Sequence, residues 1–270
     1  MLFSQRKGYK PVDNVIQRDG MSDDLRNRLW NILDILVWQS DDFLTDGSYR
    51  ESGMQIFSKG LWHNYFKKSI DSRPSYSSEN LAIIRKYFFS CKWNEVYDFL
   101  EFSLNVFNSD RVTAEINQIL ETELSAYRFI DNIFTDITDE QEIQMIENAL
   151  RDTDFPGVAA HLRRALELLS DSKNPDYRNS IKESVSAVES LAMIMTGKPK
   201  ATLGEALNVI KQKEKFHPSL LEAFSKLYGY TSDEGGIRHA MLEDPNIDAS
   251  DAKFFLMSCT SFINYLKSKL

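Results

Sequence analysis

Cysteine is nearly absent from this chain: Cys91 and Cys259 are the two in 270 residues. The opening MLFSQRKGYK lacks the apolar core that an export signal needs. Thiols in such a chain read as reduced packing groups, not a disulfide, and the expected compartment is the cytoplasm. Proline and glycine are also scarce, at 7 and 11 residues. So few helix breakers argue against many short strands and favour long helices. No apolar run approaches the roughly 18 residues of a membrane span, so no membrane partner is expected.

Other absences narrow the chemistry. The sequence contains no HExxH, no CxxC and no cluster of His and Asp at ligand spacing, so no metal and no cofactor is expected. It has no GxxxxGK[ST] or GxGxxG loop either, which leaves nucleotide binding of those kinds unsupported. Basic charge is short in the first half. Residues 1–150 hold 16 basic and 24 acidic side chains, and the remaining 16 and 16 of the chain's 32 and 40 fall after residue 150. A phosphate-coating surface is therefore not expected in the first half.

What is present is helical periodicity. Ser22 followed by Asp23 and Asp24 marks a helix start, and Leu25, Leu29, Ile32, Leu33 and Leu36 make its apolar stripe. Helices are predicted over 79–90, 93–107 and 110–124. The segment 47–78, rich in Ser, Gly and aromatics, fits no single pattern. In YRFIDNIFTDI, residues 127–137, two β-prone runs flank Asp131–Asn132, which predicts a small hairpin. Thr138 and Gln141 have capping-box spacing for a helix through Leu150. The polar stretch RDTDFPG, 151–157, is the predicted domain boundary.

Beyond it the pattern is that of a bundle of about five helices. One carries Leu162, Ala165, Leu166 and Leu169. The next follows Pro175 with Ile181, Val185, Val188, Ala192 and Met195, and stops at Gly197. Thr202 and Glu205 cap a helix with Leu203, Leu207 and Ile210. Pro218 opens one bearing Leu221, Phe224 and Tyr228. Asp248 caps the last, whose stripe is Ala252, Phe255, Leu256, Cys259, Ile263 and Leu266. The expected fold class is all-α, with one small β-hairpin.

The loop TSDEGGIRHAMLEDPN, 231–246, carries the candidate chemistry. Gly235 and Gly236 give the backbone unusual freedom, and Ile237, Arg238 and His239 follow at once. A guanidinium holds a phosphate through two parallel hydrogen bonds, and an imidazole moves a proton near neutral pH. Together they suit attack of a ribose 2′-hydroxyl on its own phosphodiester, which needs no metal. The plainer reading is a surface Arg beside a surface or capping His, since a lone Arg–His dipeptide is a weak signal. Glu243 and Glu189 are the supporting carboxylates. Glu189 either pairs with Arg238 or a capping group, or sits at a helix rim in water. His161 reads as packing or surface, His217 as a helix-entry residue, and His63 as a buried, hydrogen-bonded group. The four tryptophans, Trp30, Trp38, Trp62 and Trp93, read as core or interface rather than as base-stacking platforms.

Two long stretches carry a family likeness. HLRRALELLSDSKNPDYRNSIKESVSAVESLAMIMTGKPKATLGEAL and LYGYTSDEGGIRHAMLEDPNIDASDAKFFLMSCTSFINYLK resemble the carboxy-terminal domain of abortive-infection proteins, part of the HEPN (higher eukaryotes and prokaryotes nucleotide-binding) superfamily. In the first half, LRNRLWNIL at 25–33 and YRFIDNIFTDITDEQEI at 127–143 resemble the amino-terminal domain of J-type abortive-infection proteins. The likeness implies a regulatory or sensing domain over 1–152 and a HEPN-like domain over 153–270. HEPN ribonucleases resemble one another in an Arg, a polar neighbour and a His four to six positions on. Arg238 and His239 match the first two, but the later His is absent, because AMLEDPN follows His239. The resemblance implies a metal-independent RNA endonuclease of phage defence, toxic when released. It also implies RNA as substrate, a homodimer through the second domain, and a phage-derived or regulatory protein as trigger for the first. The missing His keeps a rival open: a HEPN domain without catalysis, serving dimerisation and nucleic-acid or partner binding.

Overall fold

The computed structural model describes residues 3–7, 9, 16–44, 52–151, 154–171, 174–197, 217–232 and 247–268. It is mostly helical, and its chain divides into two compact units, 1–138 and 139–270. Among the described residues, no helix is long and apolar enough to cross a membrane.

In the first unit, α1 spans Asp23–Leu33 with Ser22 as its cap, accepting from the Leu25 N–H. The chain then widens into a π-helical turn, Asp34–Trp38, closed by Gln39 N–H donating to Asp34 O. The segment that fitted no pattern contains α2, Gly53–Gly60, which also runs into a π-turn, Leu61–Tyr65. Next come α3, Ser77–Ser90, α4, Trp93–Phe107, and α5, Asp110–Thr122. Their apolar stripes join one buried cluster with fully buried Trp38, whose ring lies against Phe43, Phe57 and Phe107. Gly53 is needed for this packing, since a Cβ there would meet the Phe43 ring at 2.5 Å. Trp30 and Trp62 are buried as expected and Trp93 is half-buried against the same core.

His63 departs from expectation: it is exposed. Leu61 and Trp62 take the buried positions of the π-turn, and the chain carries His63 and Asn64 outward.

The predicted hairpin is present as β1, Arg128–Ile130, and β2, Ile133–Thr135. Asp131 and Asn132 both have positive φ, 43° and 77°, as a two-residue type I′ turn requires. Pairing of Ile130 with Ile133 at the turn makes Phe129 and Phe134 the next, outward-pointing pair. Helix side chains answer those outward groups. Asn117 of α5 donates to Phe129 O and accepts from Phe129 N–H, both at 2.8 Å. Glu101 of α4 accepts from Phe134 N–H at 2.8 Å, and Asn105 donates to Asn132 O at 2.9 Å. The segment around Gln17 is bound to the chain just before the hairpin: Gln17 N–H donates to Leu124 O, and Ala126 N–H donates to Gln17 O.

The second unit begins with α6, Glu140–Leu150. Its cap is Asp139, which accepts from Glu142 N–H at 3.0 Å, not Thr138 as the capping-box spacing suggested. Both residues have a suitable side chain three positions before a Glu or Gln, so the local rule does not separate them. α6 packs on the last helix through Ile146, Ala149 and Leu150, and this places it in the second unit. The polar stretch 151–157 therefore separates two helices of one compact unit. Pro156 opens α7, Pro156–Ser170. α8, Tyr177–Thr196, is capped by Asp176 and stopped by Gly197 at φ 67°. α9 spans Pro218–Ser232. α10, Ala249–Lys267, starts from Asp248, whose side chain takes the N–H groups of Ser250 and Asp251. The stripes foreseen on α7 and α10 are buried throughout, and on α8 only Met195 is partly exposed. Leu203, Leu207, Ile210 and their capping box lie outside the described residues, as do the side chains of Leu221 and Tyr228. Cys259 is buried, Cys91 half-buried, and both thiols are free.

Two predictions follow from the clamped hairpin. Asn117→Ala removes two hydrogen bonds and leaves Phe129 N–H unanswered, so the first unit should lose about 1–3 kcal/mol in urea unfolding. Burial pushes the Glu101 carboxyl above the ordinary carboxylate range. Its neutral form therefore suits the fold, and this contribution is present at low pH and lost as pH rises through the raised value. Glu101→Gln keeps an acceptor for Phe134 and abolishes the titration. The variant should gain stability over wild type at neutral pH and show no gain at acid pH; an equal effect at both would refute the assignment.

Candidate functional site

The loop residues singled out by sequence, Gly235, Gly236, Arg238, His239 and Glu243, lie outside the described residues. The described chain reaches Ser232 at the end of α9 and resumes at Ile247, before the Asp248 cap of α10. Glu189, the remaining candidate, is on α8. It is half-buried, next to buried Val188 and two positions before fully buried Leu191.

The structure does assemble a pair that sequence spacing did not reveal. α7 and α8 run antiparallel and pack closely. A Cβ on Gly157 would stand 3.1 Å from Ser190 Oγ, and Ser180 Oγ donates to Ala165 O at 2.7 Å. Between these contacts, His161 Nδ1 meets Glu183 Oε2 at 2.6 Å. The His161 side chain keeps 41% of its accessibility and that of Glu183 24%, so the ring is partly open to solvent and the carboxylate is more enclosed. The two residues are 22 positions apart, so nothing in local spacing announces them. Only the pairing of two apolar stripes brings them together. His217, by contrast, is the helix-entry residue expected: its Nδ1 accepts from Ser219 N–H at 3.3 Å.

Other polar sites are structural in character. Arg128 is buried in the first unit and donates to the carbonyls of Ser125 and Tyr127, with burial lowering its pKa. Tyr97 shares a hydrogen bond of 2.7 Å with Ser125, and burial pushes its phenol up to about 12. In the second unit a cavity of about 510 Å³ opens between α6, α9 and α10, walled by Met145, Phe224, Leu227 and Met257 with Ser258 and Ser261. Among the described residues, this lining offers apolar contact and two hydroxyls and no acid–base group. Among the described residues no group of three or more His, Cys, Asp or Glu is placed to hold a metal ion.

The family model described as AbiJ N-terminal domain 4 covers residues 1–152. It spans the whole first unit and α6 of the second. No curated protein matches the chain, and no solved structure does.

Burial alone pushes the Cys259 thiol up to about 12. The reactive thiolate is then scarce at neutral pH, and the group is out of reach. Native protein treated with iodoacetamide at pH 7.5 should leave Cys259 unmodified by peptide mass analysis, whereas protein in urea should be fully alkylated there. Rapid modification of folded protein at Cys259 would contradict the packing of α10.

Proposed function

The chain belongs to the AbiJ N-terminal domain 4 family, and from that premise we propose that it is an abortive-infection protein whose second domain cuts RNA without a metal. The observation that carries this reading is the family match over 1–152, joined to a helical second unit whose sequence resembles HEPN domains. The acidic first half holds none of the candidate catalytic residues. A division of labour follows, in which residues 1–152 sense a trigger or restrain the nuclease and residues 153–270 act on RNA in the cytoplasm.

The chemistry is transesterification within the RNA. A ribose 2′-oxygen attacks the adjacent phosphorus, the bond to the 5′-oxygen breaks, and the product carries a 2′,3′-cyclic phosphate. Arg238 would hold the scissile phosphate and its developing charge. His239 would move a proton. Two second domains would pair about a two-fold axis, so that both Arg–His pairs face one cleft. The rival reading is a HEPN domain without catalysis, used for dimerisation and binding; the absence of His from AMLEDPN after His239 favours it.

Incubating the purified chain with total RNA in EDTA decides between them. Fragments ending in 2′,3′-cyclic phosphate are expected. Arg238→Ala should slow their formation by roughly 10²–10³, and His239→Ala by roughly 10²–10⁴, with both variants folded. If wild type yields no fragments with any trigger, the binding reading takes over.

A further inference from the structure

RNA transesterification involves two proton transfers. The 2′-hydroxyl loses a proton as the O2′–P bond forms, and the 5′-oxygen gains one as the P–O5′ bond breaks. The α7–α8 hairpin holds a pair suited to the second. His161 and Glu183 are joined at 2.6 Å through Nδ1. A carboxylate that takes Nδ1–H fixes the plane of the ring and leaves Nε2 as the nitrogen offered to a ligand. The partly open imidazole and the more enclosed carboxylate match this division between a reacting group and the group that orients it.

The pair is held by the helices themselves. Along α7, the contact of Gly157 with Ser190 lies one turn to one side of it, and the bond from Ser180 to Ala165 O one turn to the other. Register slip of either helix would separate Nδ1 from the carboxylate, and both contacts oppose slip. Arg164 follows His161 by three residues, on the same helix face, and is exposed while paired with Glu167 at 2.8 Å. That guanidinium would have to leave the Glu167 carboxylate to meet a phosphate approaching the ring.

We propose that His161 is the general acid of RNA cleavage and that Glu183 is its positioning residue. Nε2–H gives its proton to the 5′-oxygen as the P–O5′ bond breaks. The 2′-hydroxyl proton passes to His239 and from there to water, and the His161 ring takes one back from water, so protons balance over a turnover. This rests on the ribonuclease reading and adds to it a residue outside the Gly-Gly-Ile-Arg-His loop.

The test uses two RNA oligonucleotides of one sequence, one with the ordinary 5′-oxygen at the scissile linkage and one with a 5′-sulfur. A thiolate departs without a proton, so loss of a general acid is felt on the oxygen substrate alone. The full-length chain and its His161→Ala and Glu183→Gln variants are assayed in EDTA. His161→Ala should be slowed by roughly 10²–10⁴ on the oxygen substrate and should return to near wild-type rate on the sulfur substrate. Glu183→Gln should show a smaller loss, recovered in the same way. Recovery also demonstrates that the variants are folded. An active wild type with an unimpaired His161→Ala, or with the same deficit on both substrates, overturns the inference and leaves the ribonuclease reading standing. A wild type that cuts neither substrate removes both.

Discussion

A two-stranded ribbon cannot satisfy its own backbone. Each strand has one edge toward its partner and one away, and the outward N–H and C=O groups cost free energy unless something answers them. The first unit is organised around this shortage. Asn117 acts as a short substitute strand for Phe129, offering both a donor and an acceptor, while Glu101 takes the opposite edge at Phe134. Because these side chains come from α5 and α4, closing the ribbon also fixes the two helices against it. Their inner stripes then join the buried cluster that holds Trp38. The segment around Gln17 follows the same rule, using its backbone to complete Leu124 and Ala126 at the entry to the hairpin.

What was legible in the sequence was local. Asp131–Asn132 announces the I′ turn because both positions need positive φ, which these side chains tolerate. Ser22, Gly197 and Asp248 mark helix ends through groups that bond within a few residues. The stripe of α10 is readable because 3.6-residue periodicity puts Phe255, Cys259 and Leu266 on one side. The failures are long-range or degenerate. Thr138 and Asp139 satisfy the same capping rule, and His63 was displaced by a π-turn that no propensity scale marks. The partners of Asn117, Glu101 and His161 lie 12, 33 and 22 residues away. Such pairs depend on tertiary contact, and periodicity carries no information about it.

The same distinction applies to function. The acidic excess of the chain lies in its first half, the part that the abortive-infection family match over 1–152 covers. An excess of negative charge works against binding a phosphate backbone. The second half has balanced charge, so any attraction to RNA must come from local arrangement. Arg163, Arg164 and Lys182 are exposed on α7 and α8, and Arg164, one turn from His161, is paired with Glu167.

The position of α6 links the two halves of this argument. The family match extends past the first compact unit and includes a helix that packs with the second. Asn264 donates to Met145 O, Lys267 to Ala149 O, and Lys253 pairs with Glu142, so α6 is tied to α10 by polar bonds as well as by its apolar stripe. α10 in turn packs on α7 and α8, the helices that carry His161 and Glu183. A change in the first unit that pulls on Asp139 would act on α6, and α6 cannot shift without disturbing α10. Through Thr138 and Asp139 the first compact unit therefore runs directly into a helix that is bonded to α10 at three points along its length.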